Sequence, residues 1–317
     1  MSDAASYAGI RVTLLGATGF VGQWVARALR ARGATLHLIA RDPVRLGELR
    51  RANALDASAS VGDLSDAKAV RTLIAGARPA VIFNLAGYGV DPDERDPALA
   101  SALNETLPPL LASLMHEQGD GAWTGQQVVH VGSALEYGTA TGDLRESTIG
   151  IPTTVYGTTK LAGTMQLHER ASSSGVRAVT GRLFTVYGRG EHDGRLLPSL
   201  IAAARTDDAI PLTDGLQRRD FTYVEDVVEG LLRLGALGAS DVGPVNIATS
   251  RLTTVRKFVE TAAGVLGIAE GRLHFGALPT RHEEMHHDPV SVDRLRALTA
   301  WLPSIPIAQG IALAARG

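Results

Sequence analysis

Tyr156 and Lys160 lie four residues apart, the spacing that puts two side chains on one face of a helix. A phenol has a reference pKa of about 10 and is a poor acid–base group in neutral water. A neighbouring ammonium favours the phenolate, so one tyrosine can then give or take a proton at working pH. The chain has only three lysines, Lys68, Lys160 and Lys257, and six tyrosines, which makes the pairing informative. Ser133 follows the apolar run Val128–Val131, at the carboxyl edge where α/β sheets bind ligands. A hydroxyl placed there can hydrogen-bond a carbonyl oxygen as it gains negative charge. These three residues are the candidate catalytic set.

A second cluster would supply a phosphate cradle. The apolar run Arg11–Leu15 leads into Gly16-Ala17-Thr18-Gly19-Phe20-Val21-Gly22, and a helical pattern follows. Gly16 suits a tight turn, Gly19 lets backbone approach a pyrophosphate, and Gly22 permits close packing of helix on strand. The N–H groups at the helix start then face the anion. The next strand ends His37-Leu38-Ile39-Ala40-Arg41. Ala40 stands where an NAD site usually carries the acid that binds the ribose hydroxyls, and Arg41 could pair with a 2′-phosphate. NADP(H) is therefore favoured, with NAD(H) the alternative. Asp63 and Leu64, after a short third strand, are candidates for the adenine pocket; Asp63 reads equally well as a turn residue.

The elements that must position these residues show as alternating patterns. Arg11–Leu15, Thr35–Ala40, Ala80–Leu85, Gln127–Val131 and Ala178–Phe184 read as strands, with a further short strand at Val245–Ala248. Val21–Arg32, Asp66–Ala75, Ala98–Glu117, Thr154–Ser174, Leu196–Arg205, Glu225–Gly235 and Thr254–Leu266 read as helices, while Ile210–Arg219 looks irregular. Near-continuous apolar strands alternating with helices imply an α/β fold: a doubly wound parallel Rossmann sheet with a smaller, interleaved C-terminal substrate domain. The expected division is 8–185 and 216–250 for the dinucleotide-binding domain, with 186–215 and 251–317 for the substrate domain. The 317 residues are 45% hydrophobic and 20% charged, with a net charge of −2 and no cysteine. That balance gives no reason to expect nucleic-acid or membrane binding, and it excludes disulfides and thiolate chemistry. With no signal-peptide pattern at the N-terminus, the expected location is the cytoplasm.

Taken together, GATGFVG at 16–22, NLAG at 84–87, SALEYG at 133–138, YGTTK at 156–160, RLFTVYG at 182–188 and RRDFTYVEDVV at 218–228 follow one motif order. From about Arg11 to about Pro303 the chain resembles the extended short-chain dehydrogenase/reductases, the NAD-dependent epimerase/dehydratase family that works on nucleotide sugars. The resemblance implies that Ser133, Tyr156 and Lys160 form the catalytic trio. It also implies that Leu85, Ala86 and Gly87 run under the cofactor ribose after Asn84, and that Phe184 borders the cofactor. Asn104 falls at a position where the family often has Asn. Substrate contacts would come from Tyr88 in the loop Tyr88–Arg95, Ser133, Thr185, Arg195, Leu196 and Arg219, with Arg281 as a second diphosphate-binding cation. Many relatives are dimers, which here would use Ala98–Glu117 and Thr154–Ser174.

Two departures narrow the chemistry. The family's 4,6-dehydratases follow the hydroxyl residue with an Asp-Glu pair that eliminates water, whereas Ala134 and Leu135 stand here. Glu136 comes one residue late, where an extended segment would point it to the opposite side. Thr185 replaces the usual Asn after RLF. The string His282-Glu283-Glu284-Met285-His286 spells a zinc-protease pattern, but Pro279 and Pro289 flank it and no apolar stripe would bury a helix there, so no metal site is expected. The leading expectation is NADPH-dependent reduction of a 4-keto, 6-deoxy nucleotide sugar. The alternatives are an NAD-dependent nucleotide-sugar epimerase and a dinucleotide-sensing protein without turnover.

Overall fold

The computed structural model describes residues 6–90, 93–119, 123–239, 242–279 and 285–316. The first half repeats a strand–helix unit: β1 (Arg11–Leu15), α1 (Phe20–Ala31), β2 (Thr35–Ala40), α2 (Pro43–Ala52), β3 (Ala57–Val61), α3 (Ala67–Ala77) and β4 (Val81–Asn84). A composite helix follows: α4 (Pro97–Ala100), a π-helical stretch at Ser101–Thr106, and α5 (Leu107–Gln118). Then come β5 (Val128–Ser133), a 3₁₀ turn at Ala134–Glu136, α6 (Val155–Ser174) and β6 (Ala178–Leu183). The remainder holds β7 (Thr185–Tyr187), α7 (Leu196–Ala203), β8 (Ile210–Leu212), β9 (Arg218–Tyr223), α8 (Val224–Gly235), β10 (Gly243–Ile247), β11 (Leu252–Thr254), α9 (Val255–Leu266), β12 (Leu273–Phe275), α10 (Asp293–Thr299) and α11 (Ile307–Ala315).

Seven strands form one parallel sheet in the order β10-β6-β5-β4-β1-β2-β3. β4 and β6 are covered on both faces and buried at every position, and their polar residues Asn84, Thr180 and Arg182 find hydrogen-bond partners inside. One apolar layer gathers Val25, Leu29, Val227 and Leu231, and the other gathers Val70, Ile74, Leu111 and Leu167. Strand order reverses between β1 and β4, so their carboxyl ends, Leu15 and Asn84, flank the crevice where such sheets bind ligands. Side chains set the helix starts: Asp42 accepts from Val44 N at 2.8 Å ahead of α2, and Thr154 accepts from Gly157 N at 3.0 Å ahead of α6. Two small sheets, β11-β9-β7 and β12-β8, come from the later part of the chain. Among the described residues, no helix is long and apolar enough to cross a membrane.

Three local readings change. The stretch Ile210–Arg219 contains β8 and the start of β9, because β8 pairs with β12 some sixty residues later and has no local periodicity to announce it. The stretch after Pro289, for which the sequence suggests no element, contains the seven-residue α10, too short to show an amphipathic stripe. The helix expected over Ala98–Glu117 is real but bulged. Pro108 and Pro109 have no N–H to give the carbonyls four residues earlier, at Asn104 and Glu105. The chain relieves the conflict with the π-helical stretch, and α6 receives the displaced carbonyl. A Cβ at Gly163 would sit 1.9 Å from Asn104 O, so only glycine lets the two helices close.

Gly163→Ala tests that contact. Helix propensity alone would favour alanine by about 1 kcal/mol. Overpacking against a fixed backbone carbonyl outweighs this, and a net loss of about 2 kcal/mol is expected, read as a lower urea midpoint with an unchanged m-value. An unchanged or higher midpoint would show that the carbonyl moves aside.

Candidate active site

The glycine turn is built around backbone approach. Gly16 has φ of +76°, and a Cβ there would lie 2.7 Å from Ala86 N, so the turn presses against the chain leaving β4. A Cβ at Gly22 would lie 2.1 Å from Gly16 O, which seats α1 against the turn. Gly19 is the N-cap of α1, and no side chain caps the helix start. Thr18 is half-buried beside it, and Phe20 and Val21 rest on the core. This is the cradle that a pyrophosphate requires: tight backbone, no Cβ, and helix N–H groups at the opening. The residues fit a dinucleotide.

Around the cradle, Ala40 is buried at the end of β2 and Arg41 is exposed directly after it. Arg41 is close enough to Asp63 to favour its ionised carboxylate, after two hydrogen bonds from Ser65 that do most of that work. Asp63 therefore serves as a turn residue, its Oδ1 accepting from Ser65 N at 2.9 Å. Leu64 packs on the second apolar layer. Leu85 and Ala86 line the floor against Gly16, and Gly87 meets Asn104.

Asn104 lies on the π-helical stretch and is fully buried. Its Oδ1 accepts from Tyr88 N at 3.0 Å, and its Nδ2 donates to Tyr88 O at 2.7 Å and Thr159 Oγ1 at 3.0 Å. This gives the position its structural role: it clamps the loop after β4 to α6. Tyr88 turns its hydroxyl to accept from Asp96 N at 3.3 Å. The loop then passes over Tyr156, with the place of a Gly89 Cβ 3.4 Å from Tyr156 Cβ. Glu94 holds the loop by accepting from Gly89 N at 2.7 Å and Val90 N at 3.1 Å, and Arg195, the N-cap of α7, donates to Val90 O at 3.2 Å. Leu196 opens α7 next to it.

Tyr156 is half-buried on the first turn of α6. Loss of hydration pushes its phenol up to about 12; the hydrogen-bonding hydroxyl of Ser133 opposes this, Glu136 and Glu94 add to it, and Arg195 opposes it. Lys160 departs from the simple picture of an ammonium leaning on the phenol. Its Nζ donates to Val131 O at 2.5 Å and lies 3.2 Å from His130 Nε2, so its contacts are with β5. Burial pulls it down to about 8, opposed by Glu136.

Glu136 is not directed away, as an extended segment would have it. The 3₁₀ turn folds it back beneath Ser133 in a capping box: Oε1 accepts from Ser133 N at 2.8 Å, and Ser133 Oγ accepts from Leu135 N at 3.2 Å. Glu136 Oε1 also accepts from Thr164 Oγ1 at 3.2 Å, and Oε2 from Arg182 Nε at 2.8 Å. Arg182 lies 4.7 Å over the Tyr137 ring. Phe184, just after β6, makes a ring contact with Tyr137 at 6.4 Å. Thr185 and Arg219 sit in β7 and β9 of one small sheet, where Thr185 pairs with Phe221. Arg281 and His282–Glu284 lie outside the described residues; among those described, no group of acids and histidines could hold a metal.

Sequence reasoning missed His130, Glu136 and Glu94 as parts of this site. A histidine inside the apolar run Val128–Val131 was the one available signal for His130. Nothing local distinguishes Glu136 or Glu94.

Comparison with known proteins identifies the family. The profile of the NAD dependent epimerase/dehydratase family matches residues 12–248. A dTDP-6-deoxy-L-talose 4-dehydrogenase (NAD(P)(+)) from Kitasatospora kifunensis is 28% identical over 305 residues, covering 92% of this chain and 91% of that protein. An uncharacterized UDP-glucose epimerase, YtcB of Bacillus subtilis, is 34% identical over 155 residues, and there the match spans about half of each protein, 47% and 48%. The solved UDP-glucose 4-epimerase of Thermotoga maritima, with UDP-glucose, aligns with a TM-score of 0.83 at 21% identity over 96% of this chain and 97% of that one, a likeness of fold. With the profile spanning well over half of its length, this chain belongs to the NAD-dependent epimerase/dehydratase family.

Proposed function

We propose that the protein reduces a 4-keto, 6-deoxy nucleotide sugar, with NADPH as the reductant. The observation that carries this reading is the fate of Glu136. Ala134 and Leu135 bring no acid to the turn after Ser133, and both oxygens of Glu136 are engaged beneath it. What remains is a hydroxyl, a phenol and an amine, which suffice for carbonyl reduction and supply no carboxylate pair for elimination. Two relatives support the choice of substrate. Besides the Kitasatospora 4-dehydrogenase, a dTDP-4-dehydrorhamnose reductase from Streptomyces griseus is 29% identical over 241 residues, covering 75% of this chain and 69% of that protein.

The bound dinucleotide would supply the hydride. The Gly16–Gly22 turn and the start of α1 would hold its pyrophosphate, and Arg41 its 2′-phosphate. Ser133 Oγ would donate a hydrogen bond to the carbonyl oxygen. Tyr156, whose phenol is pushed up to about 12 and so keeps its proton at neutral pH, would protonate that oxygen as charge develops. Lys160 would hold the ribose and tune Tyr156. Arg195 and Arg219 would meet the substrate diphosphate, a role for guanidinium side chains.

Three measurements test this reading. Tyr156→Phe should lower kcat by at least about 100-fold and leave dinucleotide binding intact, since only the proton donor is lost; near-normal turnover would remove Tyr156 from the chemistry. Arg41→Ala should weaken NADPH binding by about tenfold and barely affect NADH, the cost of a charge-assisted hydrogen bond; equal effects would mean that Arg41 does not read the 2′-phosphate. The purified protein should carry little bound dinucleotide and oxidise one NADPH per 4-keto, 6-deoxy sugar reduced. Retained NAD+ with interconversion of two nucleotide sugars, and no added cofactor, would establish an epimerase.

A further inference from the structure

The loop between β7 and α7 holds an acid that the proposed chemistry does not use. Trp24 Nε1 on α1 donates to Arg189 O at 2.8 Å, and a Cβ at Gly190 would lie 2.6 Å from Gln23 Nε2, so the loop is pressed against the cofactor helix. Glu191 follows directly and is half-buried. Its backbone N–H closes a turn on Gly188 O at 3.3 Å, and the N–H of Gly188 points to its carboxyl group in return. Oε2 is left enclosed by protein, with no hydrogen bond among the described residues. A buried carboxylate oxygen without a donor is costly when charged and much less so when neutral.

The cation that acts on Glu191 is Arg195, the N-cap of α7. Arg195 N donates to His192 O at 3.2 Å, which folds the start of α7 back on the loop. Its guanidinium donates to Val90 O at 3.2 Å and also bears on the Tyr156 phenol. One cation thus serves a buried acid on one side and the reacting site on the other. We infer that Glu191 is a positioning residue for Arg195: when neutral it leaves the guanidinium to the substrate diphosphate, and when ionised it draws the guanidinium back to its own unpartnered oxygen. The role of Arg195 at the diphosphate comes from the proposed function. Two anions then compete for one guanidinium, so binding of the diphosphate and protonation of Glu191 favour each other.

Burial pushes the Glu191 carboxyl up to about 7, opposed first by Arg195 and then by the Gly188 N–H. The other charges around the loop are engaged elsewhere. On α1, Arg27 donates to Gln23 Oε1 at 2.9 Å and lies 4.7 Å over the Trp24 ring. Arg189 acts on Arg27 and on Tyr223. Where β9 meets α8, burial pushes up both the Tyr223 phenol and the Glu225 carboxyl. His192 and Asp193 are exposed. Glu191 is therefore neutral on the acid side of about pH 7 and charged above it, and a diphosphate held nearby moves it further up. Affinity for the diphosphate is highest on the acid side and falls as pH rises through this range.

The test measures binding of UDP-glucose and of dTDP-glucose, whose diphosphates keep their charge throughout, by calorimetry from about pH 6 to about pH 8.5. Wild-type affinity should fall about tenfold more across that range than the affinity of Glu191→Gln, the effect of raising one carboxyl by about one pKa unit on binding. Lys160, pulled down to about 8, titrates in the same window, so the difference between the two proteins is the quantity read. Parallel profiles overturn the inference. A second arm needs no ligand. Urea midpoints of wild type, Glu191→Gln, Arg195→Met and the double variant give the coupling between the two residues. Coupling is expected at about pH 8.5 and should disappear at about pH 6, where the carboxyl is neutral. Equal coupling at both pH values, or none at either, overturns the inference. If neither nucleotide sugar binds while the coupling still switches with pH, the proposed function fails and the pairing of Glu191 with Arg195 stands.

Discussion

A carboxylate with no exposed surface has to be matched on every side, and Glu136 is such a group. Its partners come from three elements: Ser133 N at the end of β5, Thr164 on α6, and Arg182 on β6. Those elements carry Ser133, then Tyr156 and Lys160, then the approach to Phe184 and Thr185. A buried ion pair adds little net stability compared with an apolar pair of the same volume. Removing one partner is different, because it strands the other and costs about 3–5 kcal/mol. The constraint is therefore one of position. β5 and β6 can slide only by unpairing a buried charge, and α6 can shift only by taking a hydroxyl donor from it, so the Ser133 hydroxyl and the Tyr156 phenol are kept in register.

The opposite wall depends on a defect rather than a bond. Pro108 and Pro109 force the bulge, the bulge presents the Asn104 carbonyl to Gly163, and the Asn104 side chain then reaches Tyr88 and Thr159. Local strain in the helix thus fixes the loop that crosses Tyr156. The prolines, the glycine and the asparagine are spread over some sixty residues, yet each is needed for the same contact.

This spacing explains what could be read from the sequence. Features whose cause is local were legible. The run Arg11–Leu15 with the following glycines gives strand, turn and helix in one window, and Tyr156 with Lys160 needs only a helical period. Features whose cause is distant were not. β8 exists because β12 pairs with it, and Lys160 turns toward β5 because His130 and Val131 O wait there. Glu136 was misread for a different reason. The alternation of an extended strand was applied to a 3₁₀ turn, where the third residue folds back beneath the first. His130 looked like one more strand residue, because a periodicity argument is blind to which neighbour a side chain meets.

Electrostatically the centre and the rim are unlike. Burial drives Tyr156 up and Lys160 and His130 down, so these three groups are pushed toward their uncharged forms, while Glu136 beneath Ser133 is paired with Arg182. Arg41 lies outside on the cradle, and Arg195 begins α7. Under the proposed function, these cations meet the phosphates of cofactor and substrate, while the hydroxyls of Ser133 and Tyr156 meet a carbonyl. Each arrangement suits its task. A phosphate needs a permanent charge, and guanidinium keeps one at any working pH. A carbonyl that gains charge only in the transition state is served by donors that stay protonated until that moment, in surroundings that magnify each interaction.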